Sequence, residues 1–301
     1  MVICGERLFD LMRQRLERRK LTFYMSERWF KPPIGVWRLL SPNYARMALR
    51  FRRLAASAHL HYLPMGGYAV ADMQRIAPFA ERIWRWGYFT AMPERRPDRN
   101  RNSGEFRVLW AGRMLGWKRV DTLIRAFAAL LRVRPDAILT LVGDGPERDK
   151  LLALAGRLAS TGSVRFMPPC PVEDVVELMR QHHAYVLASN AYEGWGAVVN
   201  EAMSVGCAVV ASNAAGSARS IIRHEKNGLL FSPGDWRGLS SLLGMLACNR
   251  LLRENLARAG QEEIYNVWSP QVASERLLDV TSALLSGSVA PIFQEGPMEI
   301  L

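Results

Sequence analysis

A strand–turn–helix–strand unit in residues 184–211 constrains the fold more than any other stretch of the chain. Residues 184–188 and 207–211 are continuously apolar and predict two buried strands. Between them, a Gly194–Gly196 turn leads into a short amphipathic run that predicts a helix. In parallel α/β sheets, ligands bind outside the carboxyl ends of the strands, where loops lead into helix N-termini. We therefore expect a ligand site at this turn.

The same alternation continues on both sides of the unit. Apolar runs predict strands at 106–111, 138–142, 164–167 and 228–231. Helical spacing of apolar residues predicts helices at 118–133, 147–159, 172–180, 217–223, 235–248, 250–265 and 271–285. Such alternation is typical of an α/β protein whose parallel sheet is covered by helices on both faces.

The first third of the chain alternates less regularly. It predicts helices at 6–20, 43–56 and 70–77, and strands at 21–25, 58–63 and within 82–89. Residues 93–105 are polar and rich in Pro, Arg and Asn, which is typical of an interdomain linker. We therefore predict a partial Rossmann-like domain over 1–92, a linker over 93–105, a Rossmann-like domain over 106–286 and a tail over 287–301.

The positive charge is concentrated at one end of the chain. Residues 1–99 contain 19 Lys and Arg against 8 Asp and Glu, whereas residues 100–301 contain 21 against 20. Such a block suits anionic lipid headgroups or anionic glycans, and it equally suits a solvated basic face. Nucleic acid is not expected, because no binding motif accompanies the charge. The basic helix at 6–20 either packs one face on a sheet or lies on a membrane surface.

Other features favour a cytoplasmic setting without a metal. We find no run of about 18 uncharged apolar residues, and Glu6, Arg7 and Asp10 interrupt any signal-peptide core. The four cysteines have no metal-ligand spacing, which favours a reducing compartment. His59 and His61 alternate on a predicted strand without a third ligand nearby, so we expect a structural role.

Charged residues flank the predicted strand ends. Arg113 and Lys118 surround the first strand–helix turn of the second domain, and both side chains suit phosphate oxygens. Glu193 and Glu201 bracket the Gly194–Gly196 turn and can accept hydrogen bonds from sugar or ribose hydroxyls. Together they predict a site for a nucleotide diphospho-sugar.

The two carboxylates also allow a second interpretation, as the acid and base of a hydrolase. We consider this weaker, because Glu201 falls in the second turn of the predicted helix. That position suits holding a ligand better than activating water.

From Arg107 to about Val280 the chain resembles the C-terminal domain of retaining GT-B glycosyltransferases of family 4. The resemblance is carried by Ala111-Gly112-Arg113, Lys118-Arg119, Val142-Gly143-Asp144-Gly145-Pro146, the E-x7-E motif of Glu193 and Glu201, and Asn227-Gly228-Leu229-Leu230. It implies a GT-B-like fold of two Rossmann-type domains with parallel sheets. It also implies transfer of a sugar from a nucleotide-diphosphate donor with retention of the anomeric configuration.

The resemblance assigns roles to these residues. Arg113 and Lys118 would bind the diphosphate, Glu193 would lie beside the transferred sugar, and Glu201 would hold the ribose. The backbone of Trp195, Gly196, Ala197 and Val198 would bind phosphate, with Gly194 and Gly145 among the substrate-binding residues. The reaction would need no metal or cofactor, because the leaving diphosphate would serve as the base.

The first 92 residues are similar to the closing part of the same family's N-terminal, acceptor-side domain. The similar segments are Ser26-Glu27-Arg28, Ala69-Val70-Ala71-Asp72 and Trp86-Gly87-Tyr88-Phe89. No counterpart of the family's glycine-rich acceptor loop precedes Glu6, so we expect this domain to be incomplete. A fragment, a truncated reading frame and a degenerate form of the family would each explain this.

The resemblance implies a glycan or lipid-linked acceptor and an enzyme of envelope polysaccharide synthesis at the inner face of the membrane. Two alternatives remain: a nucleotide-sugar-binding module without activity, or, less favoured, a GT-B epimerase or phosphorylase.

Overall fold

The computed structural model describes residues 1–96, 104–160 and 162–301, with the side chain of Glu6 left aside. These residues form two compact units. Unit 1 comprises Met1–Phe89 and Val267–Leu301, and unit 2 comprises Thr90–Asn266. The strands are β1 (Val2–Cys4), β2 (Thr22–Ser26), β3 (Leu60–Pro64), β4 (Arg107–Ala111), β5 (Ile138–Val142), β6 (Val164–Met167), β7 (Ala184–Leu187), β8 (Ala208–Ser212) and β9 (Leu229–Phe231).

Most of the α-helices alternate with these strands, and 3-10 helices precede α1, α2 and α4. The α-helices are α1 (Phe9–Glu17), α2 (Pro42–Ala55), α3 (Ala69–Gln74), α4 (Val120–Leu130), α5 (Arg148–Leu158), α6 (Val172–Gln181), α7 (Val198–Ser204), α8 (Gly216–Ile221), α9 (Trp236–Cys248), α10 (Arg250–Asn266) and α11 (Pro270–Ser286). The 3-10 helices are Glu6–Leu8 and Gly35–Leu40, and a third, Gly116–Lys118, precedes α4.

Unit 2 is built on a six-stranded, wholly parallel sheet with strand order β6-β5-β4-β7-β8-β9. Strands β5, β7 and β8 are buried along their whole length, because helices cover both faces of the sheet. The predicted strands 138–142 and 164–167 have the observed bounds. The α/β class with parallel sheets is therefore confirmed.

The strands of unit 2 separate at the centre of the sheet. β4 pairs with β7 only through Val108 with Ala184 and Leu109 with Tyr185, although both strands continue beyond these residues. The chain order of the strands also reverses between β4 and β7. Ligands bind at such a switch point, so the carboxyl ends of β4 and β7 are where a site is expected.

Unit 1 contains a three-stranded parallel sheet of order β1-β2-β3. Helix α1 buries Phe9, Met12 and Leu16 in the same core as β2 and α2, which selects the core-packing interpretation of this basic helix. The strand predicted within 82–89 is not formed. Its residues make only isolated bridges, such as Tyr62 with Ile83, because the short segment touches β3 at separate points.

The last helix and the tail belong with unit 1, which differs from the predicted second-domain boundary at 286 and the separate tail. Met298 is fully buried, and Ile300 bridges to Trp84. The Arg85 guanidinium donates to both carboxylate oxygens of Glu299, at 2.6 and 3.2 Å. These contacts join residues distant in sequence, which local patterns do not reveal. Of the predicted linker 93–105, residues 97–103 lie outside the described residues.

Within the described residues, no helix is both long enough and apolar enough to cross a membrane.

Candidate functional site

Two glycine turns cross at the carboxyl ends of β4 and β5. The amide of Gly112 donates to the Val142 carbonyl at 3.0 Å, and the amide of Met114 donates to the Asp144 carbonyl at 2.7 Å. A Cβ atom on Gly143 would lie 2.0 Å from the Gly112 carbonyl oxygen, and one on Gly145 would lie 2.5 Å from the Met114 oxygen. Both positions therefore need glycine for backbone packing. The structure gives Gly145 this packing role, and its predicted contact with substrate stays a prediction.

These turns form one wall of a cavity of about 480 Å³. Residues of the turn after β6 and the first turns of α6, including Pro169, Cys170 and Val175, complete its lining. Arg113 lies at this cavity with its side chain exposed. The cavity is within the usual size range of small-molecule sites, and a guanidinium at its edge suits an anionic ligand.

Lys118 and Glu193 meet across the switch point. The Lys118 ammonium lies 2.5 Å from Oε2 of Glu193, and the Ser189 hydroxyl donates to the same oxygen at 2.7 Å. Lys118 also lies 4.3 Å from the centre of the Trp117 ring. The loops that carry them are joined by the amide of Asn190, which donates to the Trp117 carbonyl at 2.9 Å. The structure therefore brings together two predicted site residues that are 75 positions apart in the chain.

The pair is largely buried, which strengthens its attraction relative to a surface pair. An ammonium has three donor hydrogens, so Lys118 can hold Glu193 and still donate to a second acceptor. The cation is thus positioned beside the carboxylate before any ligand is present.

The Gly194–Gly196 turn is anchored by its tryptophan. The buried indole of Trp195 donates to Oδ1 of Asn200 at 2.9 Å, so this side chain packs inside the unit. Gly196 has φ of +91°, and a Cβ there would lie 2.8 Å from Leu187. In the described part of the chain, the amides of Ala197 and Val198 have no hydrogen-bond acceptor. These amides open the seven-residue helix α7.

Glu201 lies in α7, four residues after Ala197, whose carbonyl accepts from the Glu201 amide at 3.1 Å. Burial raises the pKa of the Glu201 carboxyl above its ordinary value. The carboxyl is half-buried, so its oxygens can still be reached by a ligand. Its predicted role with a ribose stays a prediction.

Sequence reasoning missed Tyr185 and Ser189. The Tyr185 hydroxyl donates to the Ala111 carbonyl at 3.0 Å and accepts from the Ala111 amide at 3.3 Å. These bonds satisfy the end of β4 where β7 no longer pairs with it. A tyrosine within an otherwise aliphatic strand was the available signal, because a buried hydroxyl needs a partner.

His61 has the structural role that was expected. Its Nδ1 accepts from the Trp84 indole at 3.0 Å in the interior of unit 1. Burial, with the positive charge of Arg82 and a smaller effect of His59, lowers the pKa of His61 to about 4. Over the described ranges, no cluster of three His, Cys, Asp or Glu side chains is arranged to hold a metal ion.

The parallel sheet and its strand order define a Rossmann-type domain, in which a ligand is expected at the β4/β7 switch point. Residues 91–263, more than half of the chain, match the family model of glycosyl transferases group 1. The chain therefore belongs to the glycosyl transferases group 1 family, and it is related to transferase enzymes.

Two curated relatives each match 58% of the chain. The lipopolysaccharide core biosynthesis glycosyltransferase LpsE of Rhizobium meliloti is 30% identical over 176 residues, which are 58% of this chain and 49% of LpsE. The D-inositol 3-phosphate glycosyltransferase of Salinispora tropica is 37% identical over 185 residues, covering 58% of this chain and 37% of that protein. The chain thus spans half or less of the length of these relatives.

A solved structure extends the likeness to both units. Anabaena Alr3699/HepE, crystallised in complex with UDP, matches 94% of this chain and 78% of its own with a TM-score of 0.74 and 20% identity. At this identity the match shows the fold alone. It supports the α/β, GT-B architecture of two Rossmann-like parts, the first with the smaller sheet.

Proposed function

We propose that this chain is a retaining glycosyltransferase of family 4, or part of one. It moves a sugar from a nucleotide-diphosphate donor to a cell-envelope polysaccharide or a lipid-linked acceptor. The observation that carries the proposal is the Lys118–Glu193 pair at the β4/β7 switch point. The exposed Arg113 also follows β4 and lines the neighbouring cavity. Cations and a carboxylate at the ends of these strands suit a diphosphate joined to a hydroxyl-rich sugar.

Each group has a defined task in this proposal. Arg113 and Lys118 bind the diphosphate and stabilise the charge that grows on it as the sugar–oxygen bond breaks. Glu193 accepts hydrogen bonds from sugar hydroxyls, and its contacts with Lys118 and Ser189 hold it in place. The raised pKa of Glu201 suits a carboxyl that binds ribose hydroxyls rather than one that must carry full charge in water.

The proposed chemistry uses the substrate itself as base. The bond between the anomeric carbon and the diphosphate oxygen breaks, and the acceptor hydroxyl forms a bond to the same face of that carbon. The hydroxyl proton passes to the leaving diphosphate. No metal or other cofactor takes part in this scheme. Such substrates are supported by the complex of Alr3699/HepE with UDP and by the name of LpsE, a glycosyltransferase of lipopolysaccharide core biosynthesis.

The cationic first third favours work at the inner face of a membrane, since lipid-linked acceptors lie there and anionic lipids attract basic proteins. We propose a peripheral, cytoplasmic location on this basis.

One observation favours a second candidate, a nucleotide-sugar-binding module without activity. The described part of unit 1 has three sheet strands, against six in unit 2. The donor side is therefore more fully built than the acceptor side.

Release or transfer of sugar from a panel of nucleotide sugars tests the proposal. We expect turnover of one donor by the wild type and a fall of ~100-fold or more in Glu193→Gln, because the carboxylate acts on the reacting sugar. Glu225→Gln, which removes an exposed carboxylate elsewhere in unit 2, should keep wild-type activity. Turnover of no donor, together with calorimetric binding of a nucleoside diphosphate, would favour the binding module.

A further inference from the structure

Unit 1 exposes large apolar side chains on a short 3-10 helix. Ile34, Val36, Trp37 and Leu40 all project into solvent around Gly35–Leu40, and we call them the 34–40 patch. Trp37 is 68% exposed and Leu40 is 76% exposed. Apolar side chains grouped in this way on a protein surface mark interaction sites more often than scattered ones do.

The stretch of chain that contains the patch is basic, although Glu27 pairs with Lys31 and Asp10 pairs with Arg50. Residues 28–71 contain seven Arg and Lys and no Asp or Glu. Helix α2 follows the patch directly and buries Ala48, Phe51 and Ala55, which turns the opposite face outward. That outer face carries Arg46, Leu49 and Arg53, all exposed, at spacings of three and four residues.

A cavity with apolar side chains in its lining adjoins α2. It has a volume of about 520 Å³ and lies between α1 and α2, with Phe9 and Met47 in its lining and Arg46 and Arg50 beside them. The side chain of Arg50 is partly neutralised by Asp10, whereas Arg46 bonds only to uncharged groups, the Pro42 carbonyl and the Asn43 side chain, in the described contacts.

A surface of tryptophan and leucine surrounded by arginines is complementary to the surface of an anionic bilayer. Indole rings favour the boundary between headgroups and acyl chains, and aliphatic side chains enter the acyl region beneath it. Arginines at the rim attract the phosphates of anionic lipids. A second copy of this chain would bring like charges together, so charge complementarity selects the lipid surface.

We propose that the 34–40 patch and the outer face of α2 dock on the surface of an anionic bilayer. Trp37 and Leu40 enter the headgroup boundary, and Arg46 and Arg53 lie over lipid phosphates. Helix α1 is not the anchor that its basic sequence suggested, because its main apolar side chains are buried in the core. The inference specifies the surface for the proposed membrane location and does not depend on sugar transfer.

Sedimentation with vesicles tests the proposal on the full chain. Wild type should bind phosphatidylcholine vesicles that contain phosphatidylglycerol, should bind pure phosphatidylcholine weakly, and should dissociate as salt rises. The change Trp37→Ala/Leu40→Ala should weaken binding by ~10-fold or more. The matched change Leu278→Ala/Leu285→Ala, at leucines 65% and 69% exposed on α11, should leave binding unchanged.

A second pair isolates the charge contribution. Arg46→Gln/Arg53→Gln should weaken binding about 30-fold, since each basic residue near an anionic surface contributes about fivefold. Arg132→Gln/Arg157→Gln removes the same charge from exposed positions of unit 2 and should have little effect. Circular dichroism and unaltered nucleoside diphosphate binding would show that the variants are folded.

Tryptophan fluorescence tests directly whether Trp37 contacts the lipid. All nine tryptophans lie in described residues, and Trp37 is the exposed one among them. Lipids brominated near the headgroup should quench the wild-type emission, and Trp37→Phe should remove that quenching. Equal binding by each variant and its matched control would overturn the proposal. So would failure of the wild type to bind, or self-association that Trp37→Ala/Leu40→Ala abolishes in the absence of lipid.

Discussion

Gly143 shows how one residue fixes the local geometry of the candidate site. Its φ of +135° is unfavourable for side-chain-bearing residues, and the Gly112 carbonyl occupies the place where a Cβ would lie. The contact lies in the backbone of two strand ends, so it cannot be relieved by rotating a side chain. The crossing of the two turns depends on this position being glycine.

Gly143→Ala should therefore destabilise the protein by about 3 kcal/mol or more, because strain at a positive φ adds to a backbone collision. Gly116→Ala is the control, since a Cβ there meets nothing within 4 Å. Urea unfolding of both variants measures the effect. Equal stability of the two would contradict the described packing.

His61 gives a prediction about pH. Its pKa is about 4 in the folded chain and about 6.5 in an unfolded one, so the unfolded state binds more protons between these values. This contribution to stability is complete above pH 6.5 and is lost as the pH falls toward 4, amounting to about 3 kcal/mol.

The variant His61→Gln keeps an acceptor for the Trp84 indole but does not titrate. Its free energy of unfolding should therefore fall less steeply than that of the wild type between pH 6.5 and 4. Chemical denaturation at several pH values measures the difference between the two. Parallel curves would show that His61 does not titrate as described.

Sequence reasoning predicted which types of residue the candidate site contains, but it did not predict which of them contact each other. Arg113, Lys118, Glu193 and Glu201 were selected because charged residues next to glycine turns suit a sugar nucleotide. The pairing of Lys118 with Glu193 was not predicted, since it depends on two loops meeting across the sheet. Trp195 was predicted for its backbone, and only the structure showed that its indole anchors the turn through Asn200.

At the scale of elements, β4 and β7 diverge at the switch point, where a ligand is expected. The backbone pairing between them ends at Leu109 and Tyr185. Beyond that point, the Tyr185 hydroxyl forms hydrogen bonds with the backbone of Ala111. The burial of this hydroxyl raises its pKa far above the ordinary value for tyrosine, so it stays a neutral donor. The backbone at the end of β4 is thus hydrogen-bonded although β7 no longer pairs with it.

Tyr185→Phe should cost about 1–3 kcal/mol of stability, because the Ala111 carbonyl loses its donor in a buried setting. Tyr88→Phe, which removes an exposed hydroxyl bonded to Glu27 at 3.2 Å, should cost less. Thermal unfolding of the two variants compares them. A neutral Tyr185→Phe would show that the hydroxyl does not support the strand end.

Elements with strong local patterns were predicted closely, and those that depend on distant partners were not. β5 matches because a largely apolar run between turns specifies a buried strand, and the bounds of the partly exposed β6 match as well. α4 begins at Val120, two residues after the predicted start, because Gly116–Lys118 forms a 3-10 turn and Arg119 has a φ of +51°. β1 was not predicted, since three residues carry no recognisable period.

At the scale of the whole molecule, the chain divides into a Rossmann-type unit with a six-stranded parallel sheet and a second unit with a three-stranded sheet, to which α11 and the C-terminal residues belong. The sequence predicted the first unit because most of its strands and helices have strong local patterns. It could not place α11 and the tail, because the Arg85–Glu299 pair joins residues 214 positions apart.

Calorimetric titration with UDP, GDP and ADP tests the central claim most directly. The account predicts that wild type binds one of these diphosphates, and that Arg113→Met weakens this binding by roughly 10- to 100-fold, since a charged hydrogen bond is lost. Arg157→Met, at an exposed arginine of the same unit, should bind as the wild type does. Binding of none of the three, or equal binding by Arg113→Met, would contradict a diphosphate site at the carboxyl end of β4.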